Sequence, residues 1–204
     1  MVKCSAILLA AGKSSRMGSL KALLPWEGKT LLQHQVSQLQ QSSINQLIVI
    51  LGYQSSKLLP YLGQCSAEWV WNEHHEEGKT SSIKKGILSL KEDSDCFIIA
   101  SVDQPVSQTL INTMIDEFFQ RRSKIIIPVY KGKRGHPILF SIEMIDELLQ
   151  INEESQGLKA ILHKRKDEIS ELEVAERSVL FNFNSPQDYE AGILEGRSKR
   201  NESF

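Results

Sequence analysis

The sequence has no long hydrophobic run, little cysteine and almost no net charge, and each shortage excludes a class of protein. Its longest apolar runs, Ala6 to Ala11 and Leu47 to Leu51, fall far short of the roughly 20 residues of a membrane helix. No membrane partner is therefore expected. The run at the N-terminus is also too short for a secretory leader and has no small-residue cleavage site after it. The cysteines, Cys4, Cys65 and Cys96, are odd in number and form no Cys-x-x-Cys pair. That pattern reads as reduced, structural thiols in a cytoplasm rather than a disulfide framework or a zinc site. The 24 Lys and Arg against 25 Asp and Glu leave a net charge of -1, which argues against broad nucleic-acid binding.

What is present is an ordinary globular chain of 204 residues, 41% hydrophobic and 24% charged. Short apolar runs alternate with amphipathic segments. Strands are expected at 5–10, 47–51, 68–71, 96–101 and 124–129, nearly continuous in hydrophobicity as strands covered on both faces should be. Helices are expected at 31–41, 55–62, 81–90 and 110–121. In the last of these, Ile111, Met114, Ile115 and Phe118 recur at helical spacing. Trp69 and Trp71 would share one face of their strand, as core or edge packing. After a turn at 130–134, the pattern predicts a strand at 137–140, helices at 143–150 and 157–163, and short strands near 169–174 and 179–183. Ser185-Pro186 opens a last helix to about residue 194. No linker divides the chain. We expect one domain over residues 1–195, an α/β fold with a single Rossmann-like, mostly parallel sheet and helices on both faces, and a disordered tail at 196–204.

The first strand ends near Leu9 or Ala10, and the loop after it holds Ala11, Gly12, Lys13, Ser14, Arg16, Gly18 and Lys21. In a parallel α/β sheet, ligands bind beyond the carboxyl ends of strands. Glycines let the backbone come close to a ligand, and successive N–H groups can form an anion nest. Arg16 offers a planar fork for phosphate oxygens and Lys21 a mobile point charge. The loop matches neither the Walker pattern nor the dinucleotide glycine fingerprint, and taken alone it also reads as a plain surface turn.

The stretch LAAGKSSRMGSLKALLPWEGKTLLQH, from Leu9 to His34, resembles the opening of the MobA-like nucleotidyltransferases, which share LA(A/G)GxSxRMGxxK. Further along, Asn72-x5-Gly78-Lys79-Thr80-Ser81-Ser82-x3-Gly86, Asp103-Gln104-Pro105, Arg134-Gly135-His136-Pro137 and Asn182-Phe183-Asn184-Ser185-Pro186-Gln187-Asp188-Tyr189 are similar too. The resemblance covers about residues 4–194 and is nearest to the molybdenum cofactor cytidylyltransferases. It implies a fold of the nucleotide-diphospho-sugar transferase type. It also implies Mg²⁺-dependent transfer of CMP from CTP to the phosphate of a molybdopterin-type cofactor, with release of pyrophosphate and a molybdoenzyme as client.

The resemblance implies that Leu9, Ala10, Ala11, Gly12, Ser14, Arg16 and Lys21, with Gly78 and Ser82, hold the nucleotide. Gly135 and His136 would face the acceptor. Arg16, Lys21 and Asp103 would be the catalytic set, and Asp103 with Asn182 would hold the metal. Several of these residues also have plainer readings: Asp103 as a cap for the helix near Ser107, the 78–82 segment as a helix start, His136 as a loop histidine. The cluster Glu73-His74-His75-Glu76-Glu77 reads as a solvated acidic loop, and Lys164-Arg165-Lys166 as a solvated helix end.

Asn182-x-Asn184 departs from the cytidylyltransferases, which usually carry Asp-x-Asp here, and is closer to the guanylyltransferases. Ala11, where the guanine enzymes have glycine, points back to cytidine. GTP, another phosphorylated acceptor, or a non-catalytic cofactor carrier are the alternatives.

Overall fold

A computed structural model describes residues 2–63 and 67–201. Cys65 and the last three residues of the expected disordered tail lie outside the described residues. The strands are β1 Cys4–Ala10, β2 Pro25–Trp26, β3 Lys29–Thr30, β4 Gln46–Leu51, β5 Glu68–Trp71, β6 Cys96–Ser101, β7 Ile125–Tyr130, β8 Lys133–Arg134, β9 Ile138–Ser141 and β10 Ile169–Glu173. The helices are α1 Leu31–Gln41, α2 Ser55–Leu62, α3 Lys79–Ile87, α4 Gln108–Arg121, α5 Ile145–Leu148, α6 Leu158–Lys164 and α7 Pro186–Asn201.

Among the described residues, eight strands form one sheet in the order β10-β7-β9-β6-β1-β4-β5, with β8 paired to β7. The ladders β6/β1, β1/β4, β4/β5 and β7/β10 are parallel. β9 runs antiparallel between β6 and β7, so the sheet is mixed although mostly parallel. Alternation along β1 shows why its sequence is apolar at nearly every position. Ala6, Leu8 and Ala10 join one core with α1, α2 and α4, while Ile7, Leu9 and Ala11 join the other with α3, α5 and α6. A strand buried on both faces needs both parities to be apolar.

Helix starts follow the local chemistry. Thr30 and Gln33 form a reciprocal capping box at α1, and Ser185 and Asp188 do the same at α7, which satisfies otherwise orphaned N–H groups. Helix α4 is capped by the Ser107 hydroxyl. Helix α3 lies directly on β1, where a Cβ at Gly86 would overlap Ile7 Cγ2.

Three expectations differ from what is found. Residues 179–183 do not make a strand. Arg177–Leu180 is a 3₁₀ turn, and the segment's backbone bonds go to single loop partners, His136 N–H to Val179 O and Phe183 N–H to Asp103 O. The helix expected over 143–150 breaks into a 3₁₀ turn, Ile142–Met144, and the short α5. Helix α7 continues past residue 194 to Asn201. Trp69 and Trp71 do share a face, but β5 is the edge strand, and they stay 50% and 52% exposed.

Candidate active site

The carboxyl ends of β1 and β6 are neighbours in a parallel pair, and the loops leaving them frame a cleft of about 320 Å³. Its wall holds Leu9, Ala10, Ala11, Gly12, Ser14 and Lys21 from the first loop, and Gly78, Lys79 and Ser82 from the start of α3. Ser101 and Asp103 at the end of β6 complete it. The structure therefore gathers most of the residues expected to hold the nucleotide. Arg16 is the exception: it is exposed on the outer side of the same loop and does not line the cleft.

The first loop is held by its own polar groups. The Ser14 hydroxyl accepts from Lys21 N–H at 3.1 Å, and Met17 N–H donates to Ser14 O at 2.9 Å. Lys13, at the cleft's rim, pairs with Glu76 at 2.7 Å. Folding back in this way aims Lys21 into the cleft, where its ammonium meets Asp103 Oδ2 at 2.7 Å and donates to Asn184 Oδ1 at 3.0 Å. The two side chains of the ion pair are only 13% and 19% exposed.

Asp103 is positioned by a buried amide. Gln35 on α1 donates to Ser101 O at 2.8 Å and Gln104 O at 2.6 Å, and accepts from Val106 N–H at 3.1 Å. One side chain thus fixes the turn that carries the carboxylate. Asp103 does not cap α4, because Ser107 does. Its carbonyl accepts from Phe183 N–H at 3.0 Å, which brings the Asn-x-Asn segment alongside. The Asn184 amide oxygen reaches Lys21 beside Asp103, whereas the metal contact was expected of Asn182. Asn182 is exposed.

Ser82 is buried, and both it and Ser81 accept from the Asn72 amide at 2.9 Å. Gly78, at φ +107, turns the chain into α3. Glu153 then holds the helix start by accepting from Thr80 N–H at 2.7 Å. Gly135 has no room for a side chain, since a Cβ there would sit 2.5 Å from Val179 O. His136 follows it, with its pKa lowered to about 4, first by burial and then by the Lys79 charge, against the pull of Asp103. The ring is neutral at pH 7 and lies within electrostatic reach of the cleft floor.

Asp103 and Asn184 supply two oxygens that already converge on one cation, the Lys21 ammonium. Oxygen donors beside a phosphate-sized cleft suit a hard divalent cation that completes its shell with phosphate and water. Among the described residues no group of three or more His, Cys, Asp or Glu gathers to form a complete protein cage. Glu73, Glu76, Glu77 and His74 are instead taken up in exposed ion pairs. No helix among the described residues is long and apolar enough to cross a membrane.

Two positions that matter were not singled out as site residues from the sequence. Gln35 sits four residues after Leu31 on the apolar stripe of α1, and a lone amide on such a stripe is the available signal. Lys79 falls within the Gly78–Ser82 match, but a lysine at a helix start normally reaches solvent and so was given no role.

The chain matches the model of the MobA-like NTP transferase domain over residues 6–169. It is 28% identical over 185 residues to the molybdenum cofactor cytidylyltransferase of Escherichia coli K12, covering 90% of this chain and 92% of that one. It is 29% identical over 163 residues to the probable molybdenum cofactor guanylyltransferase of Bacillus mycoides KBAB4, covering 77% and 79%. Rv0371c from Mycobacterium tuberculosis H37Rv superposes with a TM-score of 0.83 at 24% identity, over 94% of this chain and 98% of that one. The same protein in complex with manganese superposes with a TM-score of 0.80. The fold is that of the nucleotide-diphospho-sugar transferases. The chain belongs to the MobA-like NTP transferase family and is a nucleotidyltransferase.

Proposed function

We propose that the protein transfers CMP from CTP to the phosphate of a molybdopterin-type cofactor and releases pyrophosphate. The observation that carries this reading is the meeting of Lys21 and Asp103 in one cleft, at 2.7 Å, across 82 residues of sequence. The first loop offers N–H groups and a lysine to the triphosphate, and the end of β6 offers a carboxylate. An acceptor phosphate oxygen attacks the α-phosphorus in line, the α–β bridging P–O bond breaks, and pyrophosphate leaves with the electron pair. A phosphate acceptor is already ionised at neutral pH, so no general base is required. The chain's contribution is alignment and charge neutralisation. Lys21 leaves Asp103 for the β- and γ-phosphates, and Arg16 reaches them from the loop's outer side. Gly135 and His136 face the acceptor, with His136 neutral so that it can donate or accept a hydrogen bond.

Mg²⁺ would be held by Asp103 and Asn184, with Asn182 two residues earlier. Once bound, it would neutralise charge on the phosphate oxygens. We place the protein in the cytoplasm on its two buried free thiols, Cys4 and Cys96, with the finished dinucleotide cofactor passing to a molybdoenzyme.

Ala11 supports CTP. It lines the cleft and is packed so tightly that a Cβ at Gly52 would lie 2.8 Å from its methyl. A methyl held rigidly at the wall leaves less room for a purine. The neutral Asn182-Phe183-Asn184 segment supports GTP as the second reading. With CTP labelled at the α-phosphorus, molybdenum cofactor and Mg²⁺, the account expects label in a pterin dinucleotide. A cofactor carrier would leave all label in CTP.

A further inference from the structure

Among the described residues, Lys79 has no ion-pair partner, although it stands at the floor of a cleft built for anions. It is the first residue of α3, directly after the left-handed turn at Gly78 (φ +107). It is exposed and lines the cleft, and its ammonium donates to Ser101 Oγ at 2.9 Å. Ser101 ends β6 two residues before Asp103, so the ammonium is placed by the same strand end as the carboxylate. The two do not pair; Asp103 is engaged by Lys21. Glu153, the other carboxylate felt by Lys79, spends an oxygen on Thr80 N–H at 2.7 Å.

Sheet order decides which phosphate Lys79 serves. Across the sheet β9, β6 and β1 are neighbours in that order. The end of β6 therefore separates the first loop, which leaves β1, from His136, which precedes β9. Lys79 reaches the β6 end and is felt by His136, whose protonation it disfavours. In the resting cleft His136 is neutral and Lys21 is paired with Asp103, so Lys79 is the lining ammonium without a carboxylate partner among the described residues. Desolvation is the largest influence on the ammonium and lowers its pKa, with Lys21 adding to this and Asp103 opposing it. A dianion arriving there would restore what burial removes.

Resting on the transferase reading above, we propose that Lys79 is the acceptor-phosphate ligand of the site. It binds the phosphomonoester dianion on the His136 side of Asp103 and holds its oxygen towards the α-phosphorus. Lys79 keeps its proton throughout: the new bond joins acceptor oxygen to α-phosphorus, and the bond to pyrophosphate breaks. This makes the enzyme selective for phosphorylated acceptors over the alcohols from which they derive. A lysine suits that task, because a mobile point charge can follow the oxygen as it moves towards phosphorus.

The test is Lys79→Met, which keeps the stem and removes the charge, alongside Lys79→Arg, with melting curves to establish that both fold. Pyrophosphate release is followed while molybdenum cofactor and CTP are varied separately, and CTP binding is measured by calorimetry. Lys79→Met is expected to raise the KM for the cofactor by about tenfold or more, with the CTP Kd within about threefold of the parent and part of the loss recovered in Lys79→Arg. Loss of CTP affinity with an unchanged cofactor KM, or no change in either, would overturn the assignment.

A second arm does not depend on the cofactor. With CTP and Mg²⁺ saturating, inorganic phosphate should raise the melting temperature of the parent and not of Lys79→Met. A parent that does not respond to phosphate also overturns the assignment. A parent that binds phosphate through Lys79 yet releases no pyrophosphate with any nucleotide would instead sink the transferase reading alone.

Discussion

Replacing Lys21 with methionine keeps an unbranched stem of nearly the same length and deletes the charge that both Asp103 and Asn184 receive. In the proposed mechanism that charge faces the departing pyrophosphate at the transition state. A unit charge about 4 Å from another is worth about 4 kcal/mol at an effective dielectric near 20, or about 10³ in rate. Water and the neighbouring cation recover part of this, so kcat at saturating nucleotide should fall by about 10²- to 10³-fold. The apo protein should also lose a little stability, about 1–3 kcal/mol, because the Asp103 carboxylate keeps its burial and loses its cation. Pyrophosphate release reads the first effect and urea denaturation the second, with the assay run well below the melting transition. A variant that is folded and turns over within about threefold of the parent would refute the role given to Lys21.

Three further outcomes follow from other parts of the molecule. Gly86→Ala should cost about 1–3 kcal/mol in chemical denaturation, because the new methyl overlaps Ile7 Cγ2 where α3 lies on β1. Adding Ile7→Ala should recover part of that cost, and an additive double mutant would disprove the contact. His136 has a folded pKa of about 4 against an unfolded value near 6.5, so the unfolded chain takes up its proton first. Its contribution to stability is complete above pH 6.5 and is lost as pH falls towards 4, amounting to about 3 kcal/mol at 1.36 kcal/mol per unit. In His136→Gln the stability–pH curve should be flatter by that amount, and an unchanged curve would mean the imidazole is not held neutral. Ala11→Gly should shift the ratio of kcat/KM values towards GTP by about tenfold, the scale of one methyl-sized discrimination; an unaltered ratio would remove Ala11 from nucleotide choice.

Much of the fold was legible because burial on both faces leaves an unmistakable pattern, as β1 and β6 show with apolar residues at both parities. The direction of β9 was not legible. Ile138–Ser141 reads alike in either sense, and only its pairing between β6 and β7 makes it antiparallel. Residues 179–183 carry strand-like alternation, yet Phe181 and Phe183 pack on Trp26, and no strand among the described residues offers them a ladder.

The cleft was readable where the chain runs continuously, from Leu9 to Lys21. It was less so where a partner lies far off in sequence. Asn182 and Asn184 are chemically alike, and alternation cannot choose between them. The bond from Phe183 N–H to Asp103 O sets the register and brings Asn184 to Lys21. Lys79 shows the same limit, since the reach of a long side chain depends on which strand end stands beneath it.

Pyrophosphate release by the purified protein, with Mg²⁺, molybdenum cofactor and CTP, GTP, ATP or UTP in turn, tests the central claim most directly. The account predicts release with CTP that disappears in Asp103→Ala. Release with GTP alone would keep the chemistry and overturn the nucleotide choice. Silence with all four, from a folded protein that binds nucleotide, would contradict the acceptor assignment itself.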